Sequence, residues 1–207
     1  MVRSEISRSL RVSPLAIPDV KLVVPPRHLD PRGYFSETFN RRALEDAGID
    51  FEGVQDNQSF SQARGTVRGF HFQIPPTAQA KLIRVVHGSV FDVAVDIRRG
   101  SPTFGRHVIA ILGAEGGEQL FIPAGFAHCL CTLKPDTEVL YKVDNYYSAE
   151  HERGFRWDDP DLAIAWPVLA SAATLSDRDR NLPRFKDLEP VFFHDGREPV
   201  GANTGRQ

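Results

Sequence analysis

Short β-like segments recur through the middle of this chain at intervals of roughly ten residues, and that rhythm restricts the fold more than any other feature. "KLIRVVHG" runs directly into "SVFDVAVDIRRG", where Phe91, Val93, Val95 and Ile97 alternate with polar or small residues, the period of a strand with two unlike faces. His87-Gly88-Ser89 reads as a tight turn joining the two strands. "HVIAILG", "EQLFIPAG", "AHCLCTL", "EVLYKVDNYY" and "LAIAWPV" follow, punctuated by Gly and Pro. The succession predicts an all-β sandwich or barrel. Helix signals are few, and "NRRALEDAG" is the best, with Asn40 a candidate N-cap and Gly48 a stop. From about Asp195 the apolar periodicity is lost, so 195–207 reads as a mobile tail. The expectation is a single domain over 1–207, with its core at about 15–185 and small helical decorations.

The charge balance narrows the partners. A formal net charge of −2 gives no electrostatic reason to expect nucleic acid or an anionic membrane, although local arginines leave room for an anionic ligand. The opening "MVRSEISRSLRVSPLAIP" has no apolar h-region, and no run is long enough to span a bilayer, which predicts a cytoplasmic protein. Cys129 and Cys131 share one strand face and are badly placed to bridge each other. They read as buried thiols that pack as small hydrophobes, in keeping with a reducing compartment.

The chemistry begins with "TVRGFHFQIPP", where an imidazole stands between two phenylalanines in a strand-like run. Simple alternation puts Val67, Gly69, His71 and Gln73 on one face, and Arg68, Phe70 and Phe72 on the other. Taken alone, His71 reads as a hydrogen-bonded core histidine or a solvent-facing edge residue rather than as a functional group. A second segment adds weight. In "GEQLFIPAGFAHCL", Pro123 and Gly125 make a turn and the strand after it carries His128, which resembles the second conserved segment of the cupin superfamily of jelly-roll barrels. Many cupins bind a metal through His-x-His and a glutamate in the first segment. Here Gln73 stands where the second imidazole would be, and a neutral amide is a poor ligand for zinc, iron or copper. Histidines kept without a metal serve as acid–base or hydrogen-bonding groups.

Several blocks together carry a narrower resemblance. "DPRGYFSETFN", the long run from "VQDNQSFSQARGTVRGFHFQ" to "RRGSPTFG", "QLFIPAGFAHCL", "EVLYKVDNYYSAEHERGFRWDDPDLAIAWP" and "LSDRD" resemble the dTDP-4-dehydrorhamnose 3,5-epimerase family over roughly residues 15 to 185, in order. The resemblance implies a cupin-type jelly-roll barrel that inverts carbons beside the ketone of a dTDP-linked 4-keto sugar, without a cofactor and as a homodimer. It implies His71 as the base, Asp179 as its carboxylate partner, Lys81 near the keto oxygen and Tyr141 as proton donor on the opposite face. In "EVLYKV", Val139, Tyr141 and Val143 share a face, so the phenol is expected inside the barrel, where a nearby cation or dipole is needed to lower its pKa. Arg32, Glu37, Gln55, Asn57, Arg68, His128, Glu152 and Arg178 form the implied substrate-binding set, some of them reaching across the dimer. Gln55 and Asn57 sit at alternate strand positions from which both can face a pyrimidine. Arg178 stands where many relatives carry lysine, which keeps the charge and changes its shape. Arg68 has the wrong parity to share a cavity with His71 unless a bulge or the dimer partner intervenes.

Three classes of function remain open from the sequence. The first is the cofactor-independent epimerase, acting at C3 and C5, or at one of them alone for another deoxysugar. The second is a metal-dependent cupin enzyme using His71 and His128, against which Gln73 argues. The third is a non-catalytic carbohydrate-binding jelly roll, which has no need of His71, Lys81, Tyr141 and Asp179 together.

Overall fold

Alternating apolar residues fold the chain into two facing antiparallel sheets. The computed structural model describes residues 9–194, so the tail expected from Asp195 lies outside the described residues. The strands are β1 (Arg11–Pro14), β2 (Lys21–Val24), β3 (His28–Asp30), β4 (Gly33–Phe35), β5 (Gln55–Ser61), β6 (Val67–Gln73), β7 (Lys81–His87), β8 (Ser89–Asp96), β9 (Arg98–Arg99), β10 (His107–Gly113), β11 (Gln119–Ile122), β12 (Phe126–Thr132), β13 (Thr137–Val143), β14 (Glu152–Gly154) and β15 (Phe192–Phe193). Among the described residues there are two short α-helices, α1 (Arg41–Asp46) and α2 (Asp177–Arg180), and two 3-10 turns at Ala170–Ala172 and Phe185–Asp187. One sheet has the order β1-β2-β11-β7-β13-β5 and the other β10-β8-β12-β6-β14, with β3 and β4 forming a separate hairpin. The result is the all-β jelly-roll barrel with small helical decorations that the strand rhythm and the cupin-like segments predict.

Three apolar layers hold it together. Between the sheets lie Ile83, Val90, Ala94, Leu112, Leu120, Ile122, Leu130 and Val139. On the outer face of the five-stranded sheet, Val67, Phe70, Val93, Val95, Cys129 and Cys131 are roofed by Phe155, Trp157 and the chain that follows. On the outer face of the six-stranded sheet, Leu44 of α1 joins Val23, Ile49, Phe51, Leu82 and Phe121. The central strands β7, β8, β11 and β12 are therefore apolar toward a neighbouring layer on both sides, and polar residues inside the barrel stand out against that background. Cys129 and Cys131 are free and buried, as read.

Asn40 caps α1 through its side chain, which accepts from the Ala43 N–H, and Gly48 takes a φ of +79° just beyond it. Gly88 turns the chain with a φ of +78°, but β7 and β8 lie in different sheets, so the turn passes the chain from one layer to the other. "LAIAWPV" is not a strand. It runs as an irregular strap whose Ile164, Trp166 and Val168 pack on the outer layer, with Trp166 Nε1 donating to the Trp157 carbonyl at 3.0 Å. Apolar alternation there serves a roof and not a ladder.

Simple alternation also fails in β6. His71 pairs with His128 and Arg68 with Leu130, so β6 advances three residues while β12 advances two. This is a bulge. Leu130 faces the core between the sheets, and Arg68 and His71 both line the interior cavity, while Val67, Phe70 and Phe72 all face the outer layer. The bulge thus removes the parity conflict between Arg68 and His71 and places Val67 opposite to the face alternation predicts. Gly69 makes it possible. Its φ is +116°, and a Cβ there would run into the His128 carbonyl and lie 2.9 Å from Cys129 Cα. Gly69→Ala is therefore expected to cost at least about 1–3 kcal/mol from backbone strain alone, measured by urea unfolding.

Candidate active site

A cavity of about 510 Å³ opens between the two sheets, and both supply its walls. From the five-stranded sheet come Arg68, His71 and Gln73 of β6, His128 of β12 and Glu152 of β14. The six-stranded sheet contributes Gln55 and Asn57 of β5, Lys81 of β7 and Tyr141 of β13. Arg178 and Asp179 of α2 complete the lining.

His71 and Asp179 are 108 residues apart in the chain, yet His71 Nε2 lies 2.6 Å from Asp179 Oδ1. Two anchors bring them together. Val67 N donates to the Thr174 carbonyl at 2.9 Å and Thr174 N to the Gly65 carbonyl at 3.0 Å, which ties the incoming chain to the start of β6. Ser176 then caps α2 by accepting from Asp179 N at 3.1 Å. Only 5% of Asp179 is exposed. Burial works to raise its pKa, but the hydrogen bond and charge of His71, with help from Ser176 and Arg178, hold the carboxyl below its ordinary value.

A second imidazole–carboxylate pair stands beside the first. His128, cross-strand from His71, places Nε2 2.8 Å from Oδ1 of Asp92, a fully buried residue of β8. The other oxygen of Asp92 has no hydrogen-bond partner among the described residues. Sequence reading missed Asp92, although a signal was present. It sits between Val90 and Ala94 on the strand face that turns to the core, where a carboxylate is out of place.

From the facing sheet, Lys81 Nζ donates to the His71 carbonyl at 3.3 Å. Burial pulls its ammonium down to about 8, against the nearby charges of Glu152 and Asp92, which raise it. Tyr141 lies across from Asn57 and Ile83 in the six-stranded sheet and packs against the inner core, as its parity predicts. A lowering of its pKa, which the proton-donor role calls for, is not found. Burial raises it, Glu152 adds to the rise, and Arg68 opposes. The phenol keeps its proton.

The remaining polar residues fall into two groups. Arg68 reaches toward β5, with Nε 3.1 Å from Ser61 Oγ and Nη2 2.9 Å from the Phe60 carbonyl. Arg178 pairs with Glu152 at 2.5 Å, and Tyr147 donates its hydroxyl to the same Glu152 oxygen at 2.7 Å. Burial works to raise the pKa of Glu152, and the bonds from Arg178 and Tyr147 bring it below the ordinary value. Gln55 and Asn57 share the inner face as expected, but Gln55 is engaged at both ends, donating to Asn57 Oδ1 at 2.8 Å and accepting from Tyr147 N at 3.1 Å. Arg32 and Glu37 are not brought into this cavity. Arg32 lies at the tip of the β3–β4 hairpin, paired with Asp30 at 2.6 Å, and Glu37 follows the hairpin and accepts from Asn40. A chain that leaves the barrel as an exposed hairpin cannot return those side chains to its own cavity.

Gln73, at the position of the missing metal-ligating imidazole, has its amide engaged by the backbone of residues 146 and 148. Among the described residues no group of three or more His, Cys, Asp or Glu side chains is arranged to hold a metal ion, and no helix is long and apolar enough to cross a membrane.

Comparison with known proteins identifies the family. The family model for dTDP-4-dehydrorhamnose 3,5-epimerase matches residues 14–187. The chain is 51% identical over 179 residues to the dTDP-4-dehydrorhamnose 3,5-epimerase of Sinorhizobium fredii, covering 86% of this chain and 91% of that one. It is 48% identical, with a TM-score of 0.82, to the Bacillus anthracis dTDP-4-dehydrorhamnose 3,5-epimerase solved with TDP and PPi bound, covering 85% of this chain and 99% of the other. The dTDP-6-deoxy-D-glucose-3,5-epimerase of Legionella pneumophila, solved in complex with dTDP-4-keto-L-rhamnose, is 38% identical with a TM-score of 0.84, over 89% of this chain and 98% of that one. With its jelly-roll barrel and a family match across most of its length, the chain belongs to the dTDP-4-dehydrorhamnose 3,5-epimerase family.

Proposed function

We propose that this enzyme converts dTDP-4-keto-6-deoxy-D-glucose to dTDP-4-keto-L-rhamnose by inverting C3 and C5. One observation carries the reading: the His71–Asp179 pair, 2.6 Å apart, lines the cavity from one sheet while Tyr141 lines it from the other. A sugar ring between the sheets has a base on one face and an acid on the opposite one, which is what inversion requires.

The ketone at C4 acidifies the hydrogens on C3 and C5. His71 uses Nε2 on Asp179, so Nδ1 is the nitrogen that takes the proton from carbon. Asp179 fixes the tautomer and stabilises the imidazolium that forms. Electron density moves onto O4 as the enolate develops, and Lys81 supplies the compensating cation, aided by His128. Tyr141 delivers a proton to the same carbon from the other face, and exchange with solvent resets both groups. The same sequence at the second carbon completes the reaction. Acid, base and cation are all side chains, so the chemistry calls for no cofactor.

Arg68 and Arg178 suit the diphosphate, since guanidinium groups match phosphate oxygens in pairs. Asn57 offers its amide to the base, with Gln55 and Glu152 as supports. Arg32 and Glu37 are assigned to the cavity of a second copy. The hairpin that carries Arg32 exposes Leu29, Tyr34 and Phe35, apolar area that a homodimer would cover.

The direct test is incubation with dTDP-4-keto-6-deoxy-D-glucose in deuterated water, followed by NMR without added metal or cofactor. Deuterium at C3 and C5 with inversion of both is expected. Exchange at one carbon would reduce the enzyme to a mono-epimerase, and none at either would overturn the reading. His71→Ala should lower turnover by about 10²–10⁴-fold, as loss of a general base does, with Asp179→Asn following it. Tyr141→Phe should separate the two half-steps: deuterium still enters from the His71 face, while inversion is lost.

Lys81 supplies a test of opposite sign on stability. Its pKa falls from 10.5 to about 8 on folding, so at pH 7 it is charged in both states and burial of that charge opposes folding. Lys81→Met should therefore stabilise the fold by about 1–3 kcal/mol at pH 7 while suppressing turnover. The wild-type amine deprotonates in the folded state above about 8, so the stability gap between the two proteins should narrow as pH rises from about 8 toward 10.5, measured by urea unfolding.

A further inference from the structure

The chain leaving β13 passes residues 144–148 along the cavity without joining either sheet. Three glutamines hold its backbone. Gln79 Nε2 donates to the Asn145 carbonyl at 2.7 Å, and Gln55 Oε1 accepts from Tyr147 N at 3.1 Å. Gln73 grips on both sides of Tyr147, with Oε1 accepting from Ser148 N at 2.6 Å and Nε2 reaching the Tyr146 carbonyl at 3.5 Å. Gln73 is only 4% exposed, so both ends of its amide depend on these contacts. The Tyr147 ring lines the cavity, and its hydroxyl is held at 2.7 Å by Glu152.

We propose that Gln73 is a positioning residue: by binding the backbone on either side of Tyr147, it sets that ring as a wall of the cavity against the bound dTDP. The inference rests on the sugar-nucleotide reading above. It also gives the amide at this position a physical purpose. One planar side-chain end carries a donor and an acceptor together, and they meet a carbonyl and an N–H two residues apart. Gln73 lines the same cavity as His71, so a single strand carries the proposed base and fastens the segment that bears Tyr147.

The test compares wild type with Gln73→Met, which keeps the length and removes both hydrogen bonds, and with Gln73→Glu, which keeps the acceptor. Three quantities are read: amide hydrogen exchange over residues 144–151, the Kd for dTDP, and KM and kcat for the keto sugar. In Gln73→Met the amides of Tyr147 and Ser148 should exchange faster, and Kd and KM should rise about tenfold, the equivalent of one hydrogen bond, with kcat within about threefold of wild type. Gln73→Glu should fall between the two, and it carries the test if Gln73→Met does not fold. Unchanged exchange would overturn the proposal, as would faster exchange with unchanged dTDP binding, or a fall in kcat at constant KM. A wild-type protein that does not bind dTDP would sink the functional reading instead, and the exchange rates at Tyr147 and Ser148 would still decide whether Gln73 holds the segment.

Discussion

From Arg68 to His71, β6 advances three residues while β12 advances two, and the contents of the cavity follow from that mismatch. Without the bulge, alternation would turn either His71 or Arg68 into the outer apolar layer, against Phe155 and Trp157. The positive φ of Gly69 and the close approach of the His128 carbonyl make the extra residue possible. The bulge also keeps Phe70 and Phe72 together on the outer face, where Phe70 stacks on Phe155 at 4.6 Å. Packing of the roof and assembly of the site thus depend on the same three residues of backbone.

The roof has a second duty. The irregular chain after β14 buries the outer face and then returns along β6, tied at Thr174, to deliver α2 and Asp179. The apolar contacts of Trp157, Trp166 and Phe185 are therefore what hold a carboxylate 2.6 Å from an imidazole 108 residues away. Burying a carboxylate is costly unless its charge is met, and for Asp179 and Glu152 it is. Asp179 has His71 and Ser176, and Glu152 has Arg178 and Tyr147. Lys81 has the least support, and its lowered pKa records it. Burial and the two nearby carboxylates, Asp92 and Asp179, raise the Cys129 thiol well above its ordinary value, so it packs as a protonated, unreactive side chain.

Legibility in the sequence followed the range of the interaction. The strand rhythm, the cap at Asn40 and the inward phase of Tyr141 are local, and they were readable from neighbouring residues alone. Lys81 and Asp179 looked ordinary by themselves, a lysine at a strand start and an aspartate in a polar run, and only the family resemblance grouped them with His71. Arg32 and Glu37 carried the same resemblance, yet lie outside the cavity of their own chain. Asp92, Tyr147 and the clamp role of Gln73 escaped. Asp92 was masked by the apolar residues on the opposite face of its strand, and Gln73 works on the backbone of a segment 73 to 75 residues away.

By itself the sequence determined the alternation that makes strands, the turn residues that end them, and the supply of imidazoles, carboxylates and cations. Those are properties of single residues and their near neighbours, and they do not change with the path of the chain. The tertiary structure decided which of them meet. The register between β6 and β12 set which face Arg68 and His71 share, and the roof set where Asp179 arrives. Gln73 was turned from an apparent gap in a metal site into a fastening for Tyr147. Each of these depends on the pairing of segments far apart in sequence, where a shift of one residue reverses every side chain, and no local pattern encodes that shift.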